Sequence, residues 1–312
     1  MAEEHWERGV IERLATEGLR EQKRARRWGI FFKLLAFAFL FVTLLVTISA
    51  VSESTHTCLD KCTAVVEMRG ELDADSPASA ENITSGLQAA FKNKGTQGVV
   101  LRINSPGGSP VQAGEINDEI RRLRAKYPAT PIYAVVEEVC ASGAYYVAVA
   151  ADQIYVNKAS LIGSIGVIID GFGFVGAMEK LGIERRALAA GENKTFLDPF
   201  SPLSPQQRDY AQKMIAEIHQ QFIAAVRAGR GSRLKESPEL FSGLVWNGVR
   251  GVDLGLADAL GSVDYVAREV IKAEDVVDFT VKENLTERLA RKFGATLGKS
   301  LGAVIGHAVH WR

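Results

Sequence analysis

The sequence has no surplus of charge of either sign, because 37 lysine and arginine residues balance 37 aspartate and glutamate residues. A protein that grips nucleic-acid phosphates is expected to be basic, so composition gives no support to a nucleic-acid partner. Cysteine is also scarce, with three residues in a chain of 312, which excludes a dense disulfide scaffold. The length is enough for one or two domains.

Histidine is scarce as well, and this limits both metal binding and catalysis. The five positions are His5, His56, His219, His307 and His310. None lies in the strand-loop region that presents Ser142, so a Ser-His-Asp triad has no obvious histidine. His56 together with Cys58 and Cys62 has no fourth ligand at the usual spacing, so we predict no metal site. The two cysteines have a second possible role, because they can pair in an oxidising compartment.

One long uncharged run is present near the N-terminus, at residues 34–51. Its length suits a membrane-spanning helix, and Trp28 and Lys33 suit the border between lipid and water. Six Lys and Arg residues lie between Arg20 and Lys33, against two between Ser52 and Glu71. The positive-inside rule therefore places the N-terminus in the cytoplasm. We predict an uncleaved anchor over residues 29–51, in contact with membrane lipid, with the rest of the chain on the far side.

A single serine stands between an apolar strand and an alanine-rich helix. The strand is predicted over residues 131–136, Ser142 follows it with small residues on both sides, and the helix is predicted over residues 144–151. This arrangement presents a hydroxyl beside free backbone amides, which would stabilise a tetrahedral oxyanion. The alternative is an ordinary packing turn rich in small residues.

Strands alternate with helices through the rest of the chain, which predicts an α/β domain with helices packed on a largely parallel sheet. Strands are predicted at residues 64–68, 98–103, 131–136, 154–156, 165–169 and 184–188. Helices are predicted at residues 81–94, 111–126, 144–151 and 204–228, the last with a stop at Gly229.

Two other segments can supply catalytic groups. Pro106-Gly107-Gly108 follows a strand, and its glycines allow backbone N–H groups to come close to a ligand beside the N–H of Gly143. Lys194 lies among Phe196, Leu197 and Phe200, a setting expected to lower its pKa and allow it to act as a base in place of histidine. The alternatives are an ordinary turn and a surface lysine.

Four blocks resemble the signal peptide peptidase A family in order and spacing. They are Asn104-Ser105-Pro106-Gly107-Gly108, Ala141-Ser142-Gly143-Ala144-Tyr145-Tyr146, Gly163-Ser164-Ile165-Gly166-Val167 and Gly191-x-x-Lys194. The resemblance covers residues 64–275 and is to the short, single-repeat form. It implies a ClpP/crotonase-like fold, a membrane-anchored Ser/Lys endopeptidase and no cofactor.

The resemblance also implies a role for each site residue. Ser142 is expected to be the nucleophile and Lys194 the general base, with Ser164 orienting the lysine and Gly108 and Gly143 supplying oxyanion-hole N–H groups. The expected substrates are remnant signal peptides and other membrane-associated polypeptides. The family's active sites form at contacts between subunits, so a homo-oligomer is expected, and Lys194 is expected to be able to serve the Ser142 of an adjacent chain.

The domain boundaries and the location follow from the same reasoning. We expect a cytoplasmic segment at 1–28, the anchor at 29–51, a linker at 52–63, the peptidase domain at 64–275 and an amphipathic tail at 276–312. The expected location is the bacterial inner membrane, with the catalytic domain periplasmic or otherwise extracytoplasmic.

Three rival interpretations are weaker. The glycine pattern at residues 171–176 matches a dinucleotide fingerprint, but the helix after it is short and the strand before it comes late in the fold. A crotonase-type acyl-CoA enzyme would share the oxyanion hole but would not need a Ser/Lys pair. A membrane-tethered scaffold without proteolysis would not need the nucleophile, base and glycines together.

Overall fold

The computed structural model describes residues 20, 22–44, 58 and 60–282. The chain divides into two units, one containing helix α1 and the other containing every strand described below. Helix α1 spans Gln22–Leu44, and within the described residues it is the helix long and apolar enough to cross a membrane. It overlaps the anchor predicted at 29–51, whose last seven positions lie outside the described residues, as do residues 1–19 and the tail from 283 onward.

The second unit is built on one eight-stranded sheet. Its strands are β1 Cys62–Arg69, β2 Thr96–Ser105, β3 Ile132–Ala141, β4 Gln153–Val156, β5 Leu161–Gly163, β6 Val245–Asn247, β7 Ala259–Leu260 and β8 Val276–Asp278. The order across the sheet is β6-β5-β3-β2-β1-β8, and β4 pairs with β3 and with β7. Strand β6 pairs antiparallel with β5, whereas the other pairs are parallel. The predicted α/β, ClpP/crotonase-like architecture is confirmed.

Helices cover this sheet and carry the connections. They are α2 Ala80–Lys92, α3 Pro110–Lys126, α4 Gly143–Ala148, α5 Val175–Leu181, α6 Pro205–Arg230, α7 Gly248–Asp253 and α8 Val263–Tyr265, which continues into a π-helical turn at Val266–Ile271. The three longest begin at Ser79, Ser109 and Ser204, whose hydroxyls each accept a hydrogen bond from the amide three residues on. Proline occupies the first helical position of α3 and α6. A backbone N–H at that position has no acceptor within the helix, so proline, which lacks this N–H, costs no hydrogen bond there.

Alternating side chains of the central strands pack on opposite faces of the sheet. Ala64, Val66 and Met68 of β1 join the larger core with α2, α3 and α4. Val65, Val100 and Val135, one from each of three neighbouring strands, form a smaller core on the other face with Val266. Both faces of the central strands are therefore covered, as expected for parallel strands.

Strand β3 changes partner along its length, and this change positions the candidate nucleophile. Its first part, Tyr133 to Val136, pairs with β4, whereas Val139 to Ala141 pairs with β5. The sheet therefore splits after Val136. The end of β3, which leads directly into Ser142, lies beside the end of β5, which leads into Ser164.

Two predicted strands are wrong. Residues 165–169 and 184–188 are outside the sheet and outside every helix. The strand in the first region is β5, which ends at Gly163, so the apolar residues after it leave the sheet. The second region belongs to an exposed stretch that has no neighbouring strand to pair with. β-propensity depends on such a neighbour, so the residue pattern alone was misleading.

The predicted stop of α6 at Gly229 is also wrong. The helix continues to Arg230 and is capped by Gly231, which has φ 53°. Gly229 instead lets α6 lie against the backbone after α4, because a Cβ atom on it would be 2.0 Å from the Val149 carbonyl oxygen. Its glycine serves close packing rather than helix termination.

Cys58 and Cys62 form a disulfide at the start of β1. The pair packs on the turn before β2, where a Cβ atom on Gly95 would lie 2.5 Å from the Cys58 sulfur. The pairing that the sequence allowed for these two cysteines is therefore present.

Candidate active site

Ser142 occupies the sharp junction between β3 and α4. Its backbone has φ 52° and ψ −125°, a left-handed φ that is uncommon for a residue with a side chain. The Ser142 N–H donates to the Gly163 carbonyl at 2.9 Å, and the Ser142 carbonyl accepts from the Tyr146 N–H at 3.0 Å. These two bonds hold a strained residue between β5 and α4, and strain of this kind is often stored at functional sites.

The Pro106-Gly107-Gly108 loop lies directly against this junction. Leu72 forms a parallel bridge to it, donating to the Gly107 carbonyl at 2.8 Å and accepting from the Ser109 N–H at 2.8 Å. In a parallel bridge the two hydrogen bonds go to the residues on either side of the bridged one, here Gly107 and Ser109. The bridged residue, Gly108, directs its own N–H away from the bridging strand. The Gly108 N–H therefore points away from Leu72, and it has no hydrogen-bond partner within the described residues.

The backbone amides of Gly108 and Gly143 are close together. A Cβ atom on Gly143 would lie 3.4 Å from the Gly108 nitrogen, and one on Gly107 would lie 2.7 Å from the Gly143 nitrogen. The Gly143 N–H is also without a partner in the part of the chain that the structure describes. Two free donors beside one serine hydroxyl are the arrangement that stabilises a tetrahedral oxyanion.

Ser164 follows the end of β5 and has the same unusual conformation, with φ 51°. Its N–H donates to the Leu244 carbonyl at 2.8 Å. A cavity of about 430 Å³ connects Ser164 with the other groups. It is lined by Gly108, Pro110, Ala113, Ser142, Gly143, Tyr146, Ser164, Gly166, Val167, Ile168, Ile218, Gln221, Phe222, Ser242 and Gly243. Four of the five predicted site residues therefore line one cavity.

Lys194, the fifth predicted residue, is absent from that lining. It lies in a turn in which the Lys194 N–H donates to the Gly191 carbonyl, and its side chain is exposed. The turn belongs to residues 168–203, which we call the arm. The arm contains α5, which buries none of its residues. Arg185 pairs with Asp198, and Phe174 stacks on Phe200 at 5.4 Å, so the arm has its own internal contacts.

The cavity contains no group that can take a proton from Ser142. None of its fifteen lining residues is Lys, His, Asp or Glu. Burial raises the pKa of the Cys140 thiol and of the Tyr145 phenol, so both neighbours of Ser142 stay protonated near neutral pH. The Tyr145 hydroxyl donates to the Leu256 carbonyl at 2.8 Å and is committed to that contact.

Sequence reasoning missed several residues that shape the site. Leu72 lies outside every predicted strand and helix, although its bridge orients the Gly108 amide. Gln221 and Ser242 line the cavity without belonging to any recognised motif. The available signal was helical spacing, because Ile218 and Phe222 lie four residues apart in the helix predicted over 204–228, and both line the cavity.

Comparison with known proteins identifies the protein family of this chain. The model of peptidase family S49 matches residues 124–277, which include Ser142, Ser164 and Lys194. A predicted protease of Methanocaldococcus jannaschii is 31% identical over 221 residues, which are 70% of each chain. The chain belongs to peptidase family S49.

Two further relatives define the extent of the similarity. A predicted signal peptide peptidase SppA of Enterococcus faecium is 30% identical over 203 residues, 65% of this chain and 58% of the relative. The Na(+)/H(+) antiporter NhaA of Brucella melitensis biotype 1 is 42% identical over 177 residues, 57% of this chain. The matched part is only 24% of that antiporter, so this S49 chain spans about a quarter of its length.

Proposed function

We propose that this S49 peptidase is a membrane-anchored serine endopeptidase with Ser142 as nucleophile and Lys194 as general base. The observation that carries the proposal is the convergence of Ser142, Ser164 and the free amides of Gly108 and Gly143 on one cavity. These are the groups that an acyl transfer needs around the attacked carbonyl, apart from the base.

The base is proposed to come from a second copy of the chain. The cavity lacks a proton acceptor, whereas Lys194 is exposed on the arm. The arm also exposes large apolar side chains, including Phe172, Leu181 and Leu188, which are each more than 70% exposed. A patch of this kind favours contact with another protein surface. Burying it on a neighbouring subunit would bring Lys194 toward that subunit's Ser142 in a homo-oligomer.

The reaction follows from these positions. An uncharged Lys194 amine, oriented by the Ser164 hydroxyl, accepts the proton of Ser142 as the serine oxygen attacks the peptide carbonyl. The Gly108 and Gly143 N–H groups hold the oxyanion. The protonated lysine then donates to the leaving amine, and water hydrolyses the acyl-enzyme by the same steps in reverse.

The substrate is proposed to lie along residues 165–169. This segment has a sequence typical of a strand, and the N–H groups of its five residues have no partner among the described residues. Gly166, Val167 and Ile168 line the cavity that contains Ser142. An extended peptide can pair with such an unpartnered segment, as peptides do at exposed sheet edges. The apolar lining formed by Ala113, Ile218 and Phe222 suits an apolar substrate side chain.

Remnant signal peptides and other membrane-associated polypeptides are the proposed substrates. The Enterococcus relative's name refers to signal peptides, and α1 provides an apolar helix of spanning length. We retain the proposed boundaries, with the anchor at 29–51, the peptidase domain at 64–275 and that domain outside the cytoplasm. Membrane attachment would hold the catalytic domain near peptides released in the bilayer.

The test is proteolysis by the full chain in detergent, compared with Ser142→Ala and Lys194→Ala. Each variant is expected to lose nearly all turnover, because nucleophile and base act as a unit. Ser85→Ala, at an exposed position of α2 outside the cavity, and Lys180→Ala, an exposed lysine of the same arm, are the matched controls and should retain activity. A serine-directed phosphonate should label Ser142 in the wild type, and full turnover by Ser142→Ala would exclude the proposal.

A further inference from the structure

His219 contacts the segment that follows Ser164, although it is absent from the cavity lining. It lies on α6, half-buried, and its Nε2 atom is 3.1 Å from the Ile165 carbonyl oxygen. A carbonyl oxygen only accepts hydrogen bonds, so Nε2 must carry the proton in this contact. Ile165 itself is fully buried, and no other described group donates to its carbonyl.

This contact is the polar link between α6 and residues 165–169. The five N–H groups of the segment have no partner in the described residues, and of its carbonyls only that of Ile165 accepts a described hydrogen bond. In an extended chain, consecutive residues direct their backbone groups to opposite edges. When residues 165–169 are extended along a bound peptide, holding the Ile165 carbonyl toward α6 directs the backbone groups of Gly166 to the other edge, and Gly166 lines the Ser142 cavity.

We propose that His219 is a positioning residue for substrate binding: its Nε2–H fixes the Ile165 carbonyl, so that the backbone of Gly166 is oriented to pair with an extended peptide. The inference rests on the proposed function, because it concerns the peptide that Ser142 attacks. His219 acts through Ile165 and takes no part in proton transfer.

The sequence offers an ordinary explanation for this histidine, namely a half-buried helix residue that satisfies a nearby carbonyl. A purely structural role predicts that removing the bond lowers stability and affects all substrates alike. A positioning role predicts a selective loss, because only substrates that pair with residues 165–169 depend on the orientation of Gly166. The two interpretations therefore differ in which substrate is affected.

The test compares wild type, His219→Leu and His219→Gln on two substrates. One is an extended peptide, and the other is a small acyl ester that uses the same nucleophile, base and oxyanion donors but is too short to pair with residues 165–169. For His219→Leu we expect KM for the peptide to rise about tenfold, with kcat and ester hydrolysis nearly unchanged, because one buried hydrogen bond is lost. His219→Gln retains an N–H donor and should restore the peptide KM to within about threefold. Gln220→Leu, at the exposed neighbouring position, should leave both substrates unaffected.

Three results would overturn the proposal. They are an equal loss on peptide and ester, a loss confined to kcat, and a failure of glutamine to rescue KM. The tautomer gives a readout that does not depend on turnover: ¹⁵N NMR of histidine-labelled protein, assigned with the His219→Gln variant, should show His219 protonated at Nε2. A neutral His219 protonated at Nδ1 would refute the contact with Ile165, whatever the role of Ser142. A failure of the proposed function would show separately, as undiminished turnover by Ser142→Ala.

Discussion

At the scale of single residues, the site depends on backbone conformations that few residues adopt. Ser142 and Ser164 both have a left-handed φ, and each such residue costs about 1–3 kcal/mol unless its surroundings hold it in place. Ser142 was found from the sequence because small residues surround it, whereas Ser164 was found because its block resembles the peptidase family. Their shared conformation was not predictable, because it arises from pairing between β3 and β5, which are separated by α4 and β4 in the chain.

Gly107 allows a direct test of how closely the backbone packs around the proposed oxyanion hole. Its φ is 98°, and a Cβ atom would lie 2.7 Å from both the Ala141 oxygen and the Gly143 nitrogen. Gly107→Ala should therefore move the oxyanion amides and lower kcat/KM by at least about 100-fold, the effect of losing one such donor. Gly114→Ala is the control, because nothing lies within 4 Å of its Cβ position. Equal activity of the two variants, measured on one peptide, would contradict the proposed oxyanion hole.

The buried pair Arg230–Asp258 should control part of the acid stability. Burial raises the pKa of Asp258, but hydrogen bonds from Arg230 and the Ile154 N–H, with the attraction of Arg230 and Arg233, outweigh it and bring the pKa below its ordinary value. Because the pKa of Asp258 is lower in the folded than in the unfolded protein, its carboxylate stabilises the fold at pH values above the unfolded-state pKa, which is near 4. That stabilisation is lost as the pH falls through the folded-state pKa.

We expect Asp258→Asn to lower the free energy of unfolding at pH 7 by about 3 kcal/mol, because it leaves the Arg230 guanidinium buried without its carboxylate. The variant should also lose less stability than wild type between about pH 4 and pH 2. Glu236→Gln, which breaks the exposed pair with Arg227, should change stability by less than about 1 kcal/mol. Urea titrations at several pH values measure this, and parallel pH curves for Asp258→Asn and wild type would refute it.

At the scale of helices and strands, local patterns predicted most of the sheet that carries Ser142. The apolar runs of β1, β2 and β3 and the helical patterns of α3 and α6 were readable because short-range preferences and tertiary packing agree there. Residues 165–169 and 184–188 were misassigned because a strand needs a neighbour as well as a suitable sequence. Residues 165–169 have no such neighbour within the described chain, which is also why we propose that a substrate pairs with them.

Gly229 tests the packing of α6 that brings Ile218 and Phe222 to the cavity. We expect Gly229→Ala to destabilise the fold by about 1–3 kcal/mol, because its Cβ would overlap the Val149 carbonyl and force the helix away. Thermal unfolding measures the effect. Gly176→Ala on α5, with open space at its Cβ position, should not lower the melting temperature. A Gly229→Ala variant as stable as wild type would mean that this close approach is absent.

At the scale of the whole molecule, the exposed apolar surface of the arm has no role within a single chain. The arm carries Lys194 and a large exposed apolar surface, while the Ser142 cavity lacks a base. The sequence could name Ser142 and Lys194 as the proposed nucleophile and base, because each belongs to a block that resembles the family. It could not show whether they meet within one chain, since that depends on how the arm folds and on what covers it.

The arm should therefore couple assembly to activity. We expect the double variant Phe172→Glu with Leu181→Glu to dissociate the oligomer and reduce proteolysis by at least about tenfold, because charges replace two exposed apolar groups of the arm. Sedimentation in detergent measures the assembly. Val249→Glu, at an exposed apolar position on α7 outside the arm, is the control. Full proteolysis by a dissociated double variant would contradict a base supplied by another copy.

The most direct test of the central claim is complementation between two inactive chains, Ser142→Ala and Lys194→Ala, expressed separately and then together. Mixed oligomers place an intact Lys194 beside an intact Ser142 at some of their contacts. We predict that co-expression restores a substantial fraction of wild-type proteolysis and phosphonate labelling, although each chain alone has neither. If verified mixed oligomers remain inactive, Lys194 does not serve the Ser142 of a neighbouring chain, and the proposed active site shared between subunits is contradicted.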